Sequence, residues 1–341
     1  MSELSVAAFA AETGAHTLAA PRTARFAAFR RGFDERDYLA RLATRGLRFV
    51  GRSDPGFPPL LSAVHDPPPG LFLRGAAEAE LLSRAAVAIV GARACSAYGA
   101  EVARMLGREL AAAGLVVVSG LARGVDGAAH RGALEAGGPT VAVLGCGVDR
   151  DYPAAHAGLA REIGETGLVV SEYAPGVEPA PWRFPARNRI IAGLASATVV
   201  VEARERSGAL ITADLALEEG REVLACPGEI TSALSAGTNA LLRLGATPLT
   251  RVEDVLEVFG LEPAAAAPAE VGAAARLALD HLADAPAGVD ELARATGLPA
   301  AELAGALTEL ELAGLAAASD GIYRATATPR LGDRTAPNPR R

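Results

Sequence analysis

No lysine occurs in this chain of 341 residues, and its 33 cationic side chains are all arginine. A Walker-type phosphate loop depends on a lysine, so an ATPase of that class is excluded. Cysteine is nearly as scarce: Cys95, Cys146 and Cys226 lie far apart and form no CxxC pair. Neither a metal site nor a disulfide framework is expected, which fits a reducing cytoplasm. No apolar run approaches the roughly 18 residues of a membrane span, and the opening MSELSV lacks the basic segment and apolar core of an export signal. A net charge of −7 argues against a chain coated with basic groups for nucleic acid. Aromatic residues make up only 4 %, so the core must come from the aliphatic part of the 50 % that is hydrophobic. The length implies a main domain with appendages rather than one compact unit.

What is present changes character along the chain. Residues 1–80 read as a small, mostly helical module that ends in a proline-stiffened connector, DPGFPPLL at 54–61 and HDPPPG at 65–70, and leads into LFLRG, an expected edge strand. From Arg22 to Arg52 nine arginines stand against Asp34, Glu35 and Asp37, a local excess of six positive charges. Over 81–262, apolar runs at 87–90, 115–118, 140–144, 168–170, 197–201 and 222–226 alternate with helix-length segments rich in Ala and Leu. This alternation predicts an α/β domain, an extended Rossmann-like parallel sheet covered on both faces. Right-handed crossovers gather the loop after every strand on one edge. Residues 263–273 read as a linker, 274–326 as a winged-helix domain of three short helices and a hairpin that includes GIYR, and 327–341 as a disordered tail.

The loops on that edge carry the chemistry. After the first strand, Gly91 permits a tight turn and Arg93 stands where it can reach an anion. The second loop offers Ser119, Gly120 and Arg123, then Asp126 and His130 four residues apart on one helix face. That pair reads either as a base with its orienting carboxylate or as a capping group and a packed histidine; with no third ligand in the motif, the structural reading is the stronger. Trp182, Arg183 and Phe184 interleave aromatic faces with a cation, the combination that stacks bases and pairs phosphates. Arg187, Asn188 and Arg189 follow at the expected start of an apolar helix, where the dipole also favours anions. Ser207, Gly208 and Thr212 open another helix with backbone N–H groups and hydroxyls. One glycine loop is weak evidence; several on one sheet edge, with arginines among them, indicate a phosphate-bearing ligand.

Taken in order, VGAR (90–93), SGLARGVDGAAH (119–130), GCGVDRDYP (145–153), FPARNRIIAG (184–193), SGALITA (207–213) and CPG (226–228) resemble the DNA-processing protein DprA (Smf) family. The connector from Pro55 to Gly75 resembles that family's lead-in to its main domain. The resemblance implies a non-enzymatic cytoplasmic protein that binds single-stranded DNA, loads the RecA recombinase onto it during natural transformation and recombination, and acts as a homodimer. It implies a sterile-alpha-motif-like N-terminal module and a C-terminal winged helix. By motif, it places phosphate contacts on Arg93 and on Arg187, Asn188 and Arg189, and a glycine-hydroxyl cradle on Ser119, Gly120, Ser207, Gly208 and Thr212. Ala92 departs from the hydroxyl residue usual in the family. Dimer and RecA surfaces are sought on the helices after Gly208 and Gly237. No cofactor or metal is expected.

Charge distinguishes the two ends. From Arg276 to Arg324 three arginines face eight acidic residues, a net of −5 that repels a phosphate backbone. The winged helix therefore reads as a protein-contact module and the basic N-terminal segment as the auxiliary DNA surface. Two other readings compete. A nucleotide-cleaving phosphoribohydrolase would carry Thr-x-x-Glu after its glycine loop, whereas here Gly208 is followed by ALITA. A pure interaction scaffold would have no affinity for nucleic acid. On the DNA reading, Arg93→Ala and Arg189→Ala should each weaken single-strand binding by about 1–3 kcal/mol with the fold intact.

Overall fold

The structure, a computed structural model, describes residues 2–13, 23–261, 271–319 and 321–325. The chain divides into two compact units, Met1–Ala264 and Ala265–Arg341. The first unit begins with helices α1 (Glu3–Thr13), α2 (Ala24–Gly32) and α3 (Glu35–Thr44). Thr23 and Asp34 start the second and third by accepting the N–H groups of Phe26 and Asp37. Then come β1 (Leu47–Gly51), the one-turn helix α4 (Pro59–Ser62) and β2 (Gly70–Arg74). Strands and helices alternate from there: β3 (Ala86–Val90), α5 (Ala97–Ala112), β4 (Val116–Ser119), α6 (Val125–Glu135), β5 (Thr140–Val143), α7 (Ala157–Thr166) and β6 (Leu168–Ser171). They continue as α8 (Arg183–Leu194), β7 (Ala197–Val200), α9 (Gly208–Glu218), β8 (Glu222–Ala225), α10 (Ala236–Arg243), β9 (Thr247–Pro248) and α11 (Glu253–Val258).

All nine strands join one sheet in the order β1-β2-β6-β5-β4-β3-β7-β8-β9. From β6 to β9 every pairing is parallel; β2 is antiparallel to both β6 and β1. Alternation along each strand divides the core between the two faces. Ala86, Ala88 and Val90 pack with Ile190 and Ile191 of α8 and with Ala209 and Ala213 of α9. Val87 and Ile89 pack on the other face with Leu106 and Leu110 of α5 and Ala129 of α6. Six of the seven parallel strands fall on the six apolar runs read from the sequence; the seventh, the two-residue β9, has no such run.

The expectation for the first 80 residues needs correction. Apart from the single turn α4, longer helices occupy it only to Thr44, and β1 and β2 extend the main sheet. LFLRG is not an edge strand, because β1 lies outside it. Leu47–Gly51 is five residues long and includes Arg48, so its alternation is weak; what makes it a strand is pairing with a partner beyond the proline connector.

The second unit builds its own core from Leu279, Leu282, Leu292, Leu303, Leu307 and Leu310. Its elements are α12 (Ala273–Asp284), β10 (Ala287–Gly288), α13 (Val289–Thr296), α14 (Ala300–Leu312), β11 (Ala316–Ser319) and β12 (Ile322–Ala325), with strand order β10-β12-β11. Gly297, at φ +69°, closes α13 and turns the chain into α14. The linker expected over 263–273 falls largely, and the tail expected over 327–341 entirely, outside the described residues. No helix among the described residues is long and apolar enough to cross a membrane.

Candidate nucleic-acid interface

From β3 the chain crosses over to β4 on one side, whereas β7, the other neighbour of β3, leads to β8 on the opposite side. Loops leaving β3 and β7 therefore diverge, and the crevice between them is where open α/β sheets take ligands. A cavity of about 460 Å³ lies there. The loop after β3 contributes Gly91, Ala92 and Arg93 to its wall; α8 contributes Phe184, Arg187 and Asn188; the loop after β7 and the start of α9 contribute Arg204, Arg206, Ser207, Gly208 and Thr212. Asp126 lines it from α6. Four guanidinium groups against one carboxylate make the cavity cationic, and the N-terminus of α9 adds its dipole.

Glu202 holds the two sides of the crevice together. Leaving β7, its carboxylate accepts the Ser96 N–H at 2.8 Å and the Ser96 hydroxyl at 2.5 Å. Ser96 in turn caps α5 by accepting the Gly99 N–H at 3.0 Å.

Beneath the cavity, the turn after β4 is held in an unusual shape. Leu121, fully buried, has φ +58°, a conformation that costs a branched side chain of order 1–3 kcal/mol. Asp126 fixes the turn by accepting the N–H groups of Gly120 at 3.1 Å and Ala122 at 3.3 Å, and His156 bonds to the Leu121 carbonyl at 2.9 Å. At Gly124, φ is +78° and a Cβ would lie 2.2 Å from the Ala92 carbonyl oxygen, so only glycine lets the loops after β3 and β4 approach this closely. Gly120 is a second such point, since a Cβ there would lie 2.1 Å from the Arg187 guanidinium.

Arg187 is only 5 % exposed. It donates to the Gly120 carbonyl at 2.8 Å, to the Val143 carbonyl, and through Nε to the Asn188 side-chain oxygen at 3.0 Å. Asn188 then donates to the Gly208 carbonyl at 3.0 Å, so these two residues tie α8 to β4, β5 and α9. Burial brings the Arg187 guanidinium down to about 10, opposed by the charge of Asp126. Burial likewise raises the Asp126 carboxyl, with Arg187 pulling it back. Arg93, by contrast, is exposed; its guanidinium lies 5.4 Å from the Phe184 ring centre. Phe184 stacks on Tyr152 at 5.2 Å and 23°, which leaves an aromatic platform beside the cavity.

Of the residues singled out in sequence, Arg93, Phe184, Arg187, Asn188, Ser207, Gly208 and Thr212 come together around this cavity. The rest have other positions. Ser119 is fully buried and its hydroxyl donates to the Ile89 carbonyl at 2.6 Å, joining β4 to β3. Both backbone groups of Gly120 are engaged by Asp126 and Arg187. Arg123 is exposed outside the lining. Arg183 donates to the Glu178 carbonyl and sits 4.8 Å from the Trp182 ring centre and 5.2 Å from that of Tyr173. Arg189 turns away from the cavity to pair with Glu172 and, at 3.2 Å, with Asp66.

Two corrections follow for the local chemistry. Helix α8 starts at Arg183, so the Arg-Asn-Arg run lies in its second turn and not at its N-terminus. Pro185 fits the first turn because an N–H there has no intrahelical partner. The hydroxyls also have partners: Ser207 accepts the Ala209 N–H at 3.2 Å, and Thr212, 1 % exposed, donates to the Gly208 carbonyl at 3.4 Å. Anion attraction thus rests on arginines and the end of α9. Arg204, Arg206 and Tyr152 were missed as site residues, and Asp126, read as a structural group, also lines the cavity; the Arg-Glu-Arg triplet directly before Ser207, at a strand-to-helix junction, is the signal that would have found the two arginines. Asp126 and His130 do not form a pair: His130 is buried against the Thr140 hydroxyl at 2.7 Å.

Residues 48–260 match the family model described as DNA recombination-mediator protein A, and residues 262–321 match the DprA winged helix domain. The chain is 48 % identical over 206 residues to the DNA processing protein DprA of Streptococcus pneumoniae, covering 60 % of this chain and 72 % of that protein. The crystal structure of DprA from Streptococcus pneumoniae superposes with a TM-score of 0.64 at 40 % identity, covering 75 % of this chain and 92 % of that one. A structure of DNA processing protein A from Helicobacter pylori, described for its single-stranded DNA binding mode, superposes with a TM-score of 0.56 at 30 % identity, covering 62 % of this chain and 95 % of that one. With its parallel-dominated sheet and its winged helix both matched, the chain belongs to the DNA recombination-mediator protein A family, the DprA (Smf) proteins.

Proposed function

We propose that this protein binds single-stranded DNA in the cavity at the β3/β7 switch point and, without catalysing a reaction itself, loads RecA onto the strand in natural transformation and recombination. The observation that carries the first step is the pairing of exposed Arg93, Arg204 and Arg206 with the Phe184–Tyr152 stack: phosphates meet cations while unstacked bases meet ring faces. A duplex hides its base faces and gains nothing from that platform. The two carboxylates at the crevice, Asp126 and Glu202, are held by N–H and hydroxyl groups in structural roles, which supports binding rather than nucleotide cleavage.

RecA contact and self-association rest on the family resemblance. Support comes from large apolar side chains left in solvent on and beside α9 and α10: Ile211, Leu217 and Leu244 are 40, 52 and 85 % exposed. A cytoplasmic site of action goes with this reading. The test is competition between a labelled single strand and unlabelled duplex on the purified full chain, alongside a base-release assay with nucleoside monophosphates. Retention of the strand against excess duplex, with no base released, is the expected result; turnover lost in Glu202→Gln would replace this reading with the enzymatic one.

A further inference from the structure

The N-terminal helices carry charge that the cavity does not account for. Between Thr23 and Arg52 eight arginines accompany three acidic residues. Arg41 pairs with Asp37, Arg45 with Asp149 and Arg48 with Glu78, while Asp34 caps α3. Arg25, Arg30, Arg31, Arg36 and Arg52 remain exposed, with no ion-pair partner among the described residues. Helix electrostatics explain only part of this. Arg30 and Arg31 sit in the last turn of α2, where the dipole favours cations, but Arg25 and Arg36 each occupy the first turn of a helix, where it opposes them. Cations kept where the helix disfavours them, and without carboxylate partners, fit an external anion.

Position gives that anion its identity. β1 runs parallel to β6, since both pair antiparallel with β2, so its exit at Arg52 lies toward the same sheet edge as the cavity. A series of contacts links the two regions. Arg45, directly after α3, meets Asp149 at 2.5 Å, and Tyr152 in the same loop, 41 % exposed, stacks on Phe184 at the cavity wall. Phe33, at the end of α2, packs on Tyr38 of α3 at 5.4 Å, fixing one helix against the other. Strands in the sheet are about 4.8 Å apart, so the five steps from β1 to β3 span roughly 24 Å, too far for one nucleotide but within reach of a bound oligomer.

We propose that the exposed arginines of α2 and the α2–α3 corner form a second, sequence-independent contact for the phosphate backbone of the same single strand, which leaves the cavity across Phe184 and Tyr152. This rests on the cavity being the strand's primary site, and it goes beyond it because α2 and α3 lie outside the residues matched by the family's main domain. The test uses the full chain with Arg30→Glu and Arg31→Glu combined, and oligothymidylates of about 6 and about 30 nucleotides, lengths that bracket the usual site sizes. The expected result is unchanged affinity for the short strand and about tenfold weaker binding of the long one. Its log–log salt slope should also be shallower by about 1.4, two phosphates' worth. Arg30→Lys with Arg31→Lys should bind as wild type. If the long strand keeps its affinity and slope while the short one still binds, the second contact is wrong and the cavity reading stands. Equal loss on both lengths overturns it too, because the arginines would then act on the cavity or the fold. A wild-type chain that binds neither length overturns both.

Discussion

Two arginines of the cavity differ in what they do before any ligand arrives. Arg187 is committed to the protein: two carbonyls, Asn188 and the nearby charge of Asp126 depend on it. Arg187→Ala should therefore destabilise the fold by about 3–5 kcal/mol, the cost of stranding buried polar and charged groups, seen as a lower urea midpoint. Arg93 is exposed and rests only on a ring face. Arg93→Ala should leave that midpoint in place and weaken strand binding by about 1–3 kcal/mol in a titration. Arg189 has a different setting from Arg93. Its partners are Glu172 and Asp66, and burial pushes the Glu172 carboxyl up to about 7 even beside that guanidinium. Arg189→Ala should reduce stability and leave any change in affinity secondary.

His130 gives a pH dependence with a definite sign. The Thr140 hydroxyl donates to the Val117 carbonyl, so it accepts from His130 Nδ1–H, and Nε2 has no partner among the described residues. Burial, helped by the charges of His156 and Arg187, lowers the imidazole to about 3, against 6.5 in its ordinary state. The unfolded chain takes up this proton first as pH falls. The histidine's contribution is intact above pH 6.5 and declines from there toward pH 3, by roughly 2 kcal/mol at pH 5. Urea midpoints measured at pH 7 and pH 5 should diverge more in the wild type than in His130→Leu; equal divergence would contradict this assignment.

At the scale of elements, much was legible because it depends on local pattern. Each of β3 to β8 is an apolar run bounded by small residues and buried on both faces, and the alternation alone fixes a parallel sheet with a loop-bearing edge. What stayed hidden depends on tertiary partners. β1 becomes a strand only through β2, and the direction of each side chain in α8 follows from where that helix begins. Successive helical residues point about 100° apart, so Arg187, Asn188 and Arg189 could not all face one cavity; the first two do, and the third turns to β6. The hydroxyls of Ser119, Ser207 and Thr212 were legible as residues, but their partners are backbone groups that only the packed fold brings near. Gly120 tests this packing. A methyl group there meets the Arg187 guanidinium, so Gly120→Ala should cost about 1–3 kcal/mol of stability and disturb the cavity's floor, readable by hydrogen exchange at Ala122.

For the molecule as a whole, the two units have separate cores, and both carry more acidic than basic residues. The winged-helix unit keeps the excess of acidic over basic residues described above, while in the first unit exposed arginines without ion-pair partners among the described residues gather at the cavity and at the α2–α3 corner. Deleting 262–341 should leave single-strand affinity within about threefold, because a surface of like sign to phosphate adds no attraction. Leu217→Glu with Leu244→Glu should weaken self-association by about tenfold or more in sedimentation, as for apolar contacts at the centre of an interface, while strand binding by the monomer persists. The central claim is that a single strand lies in the β3/β7 cavity, held by its exposed arginines. Its most direct test is fluorescence anisotropy of a labelled oligothymidylate, titrated across salt with the wild type and with Arg93→Ala combined with Arg206→Ala. Tight wild-type binding that falls steeply with salt, and a variant weaker by ten- to a hundredfold or more with a slope shallower by about 1.4, is the result expected. Equal affinities and slopes in the two proteins would contradict it.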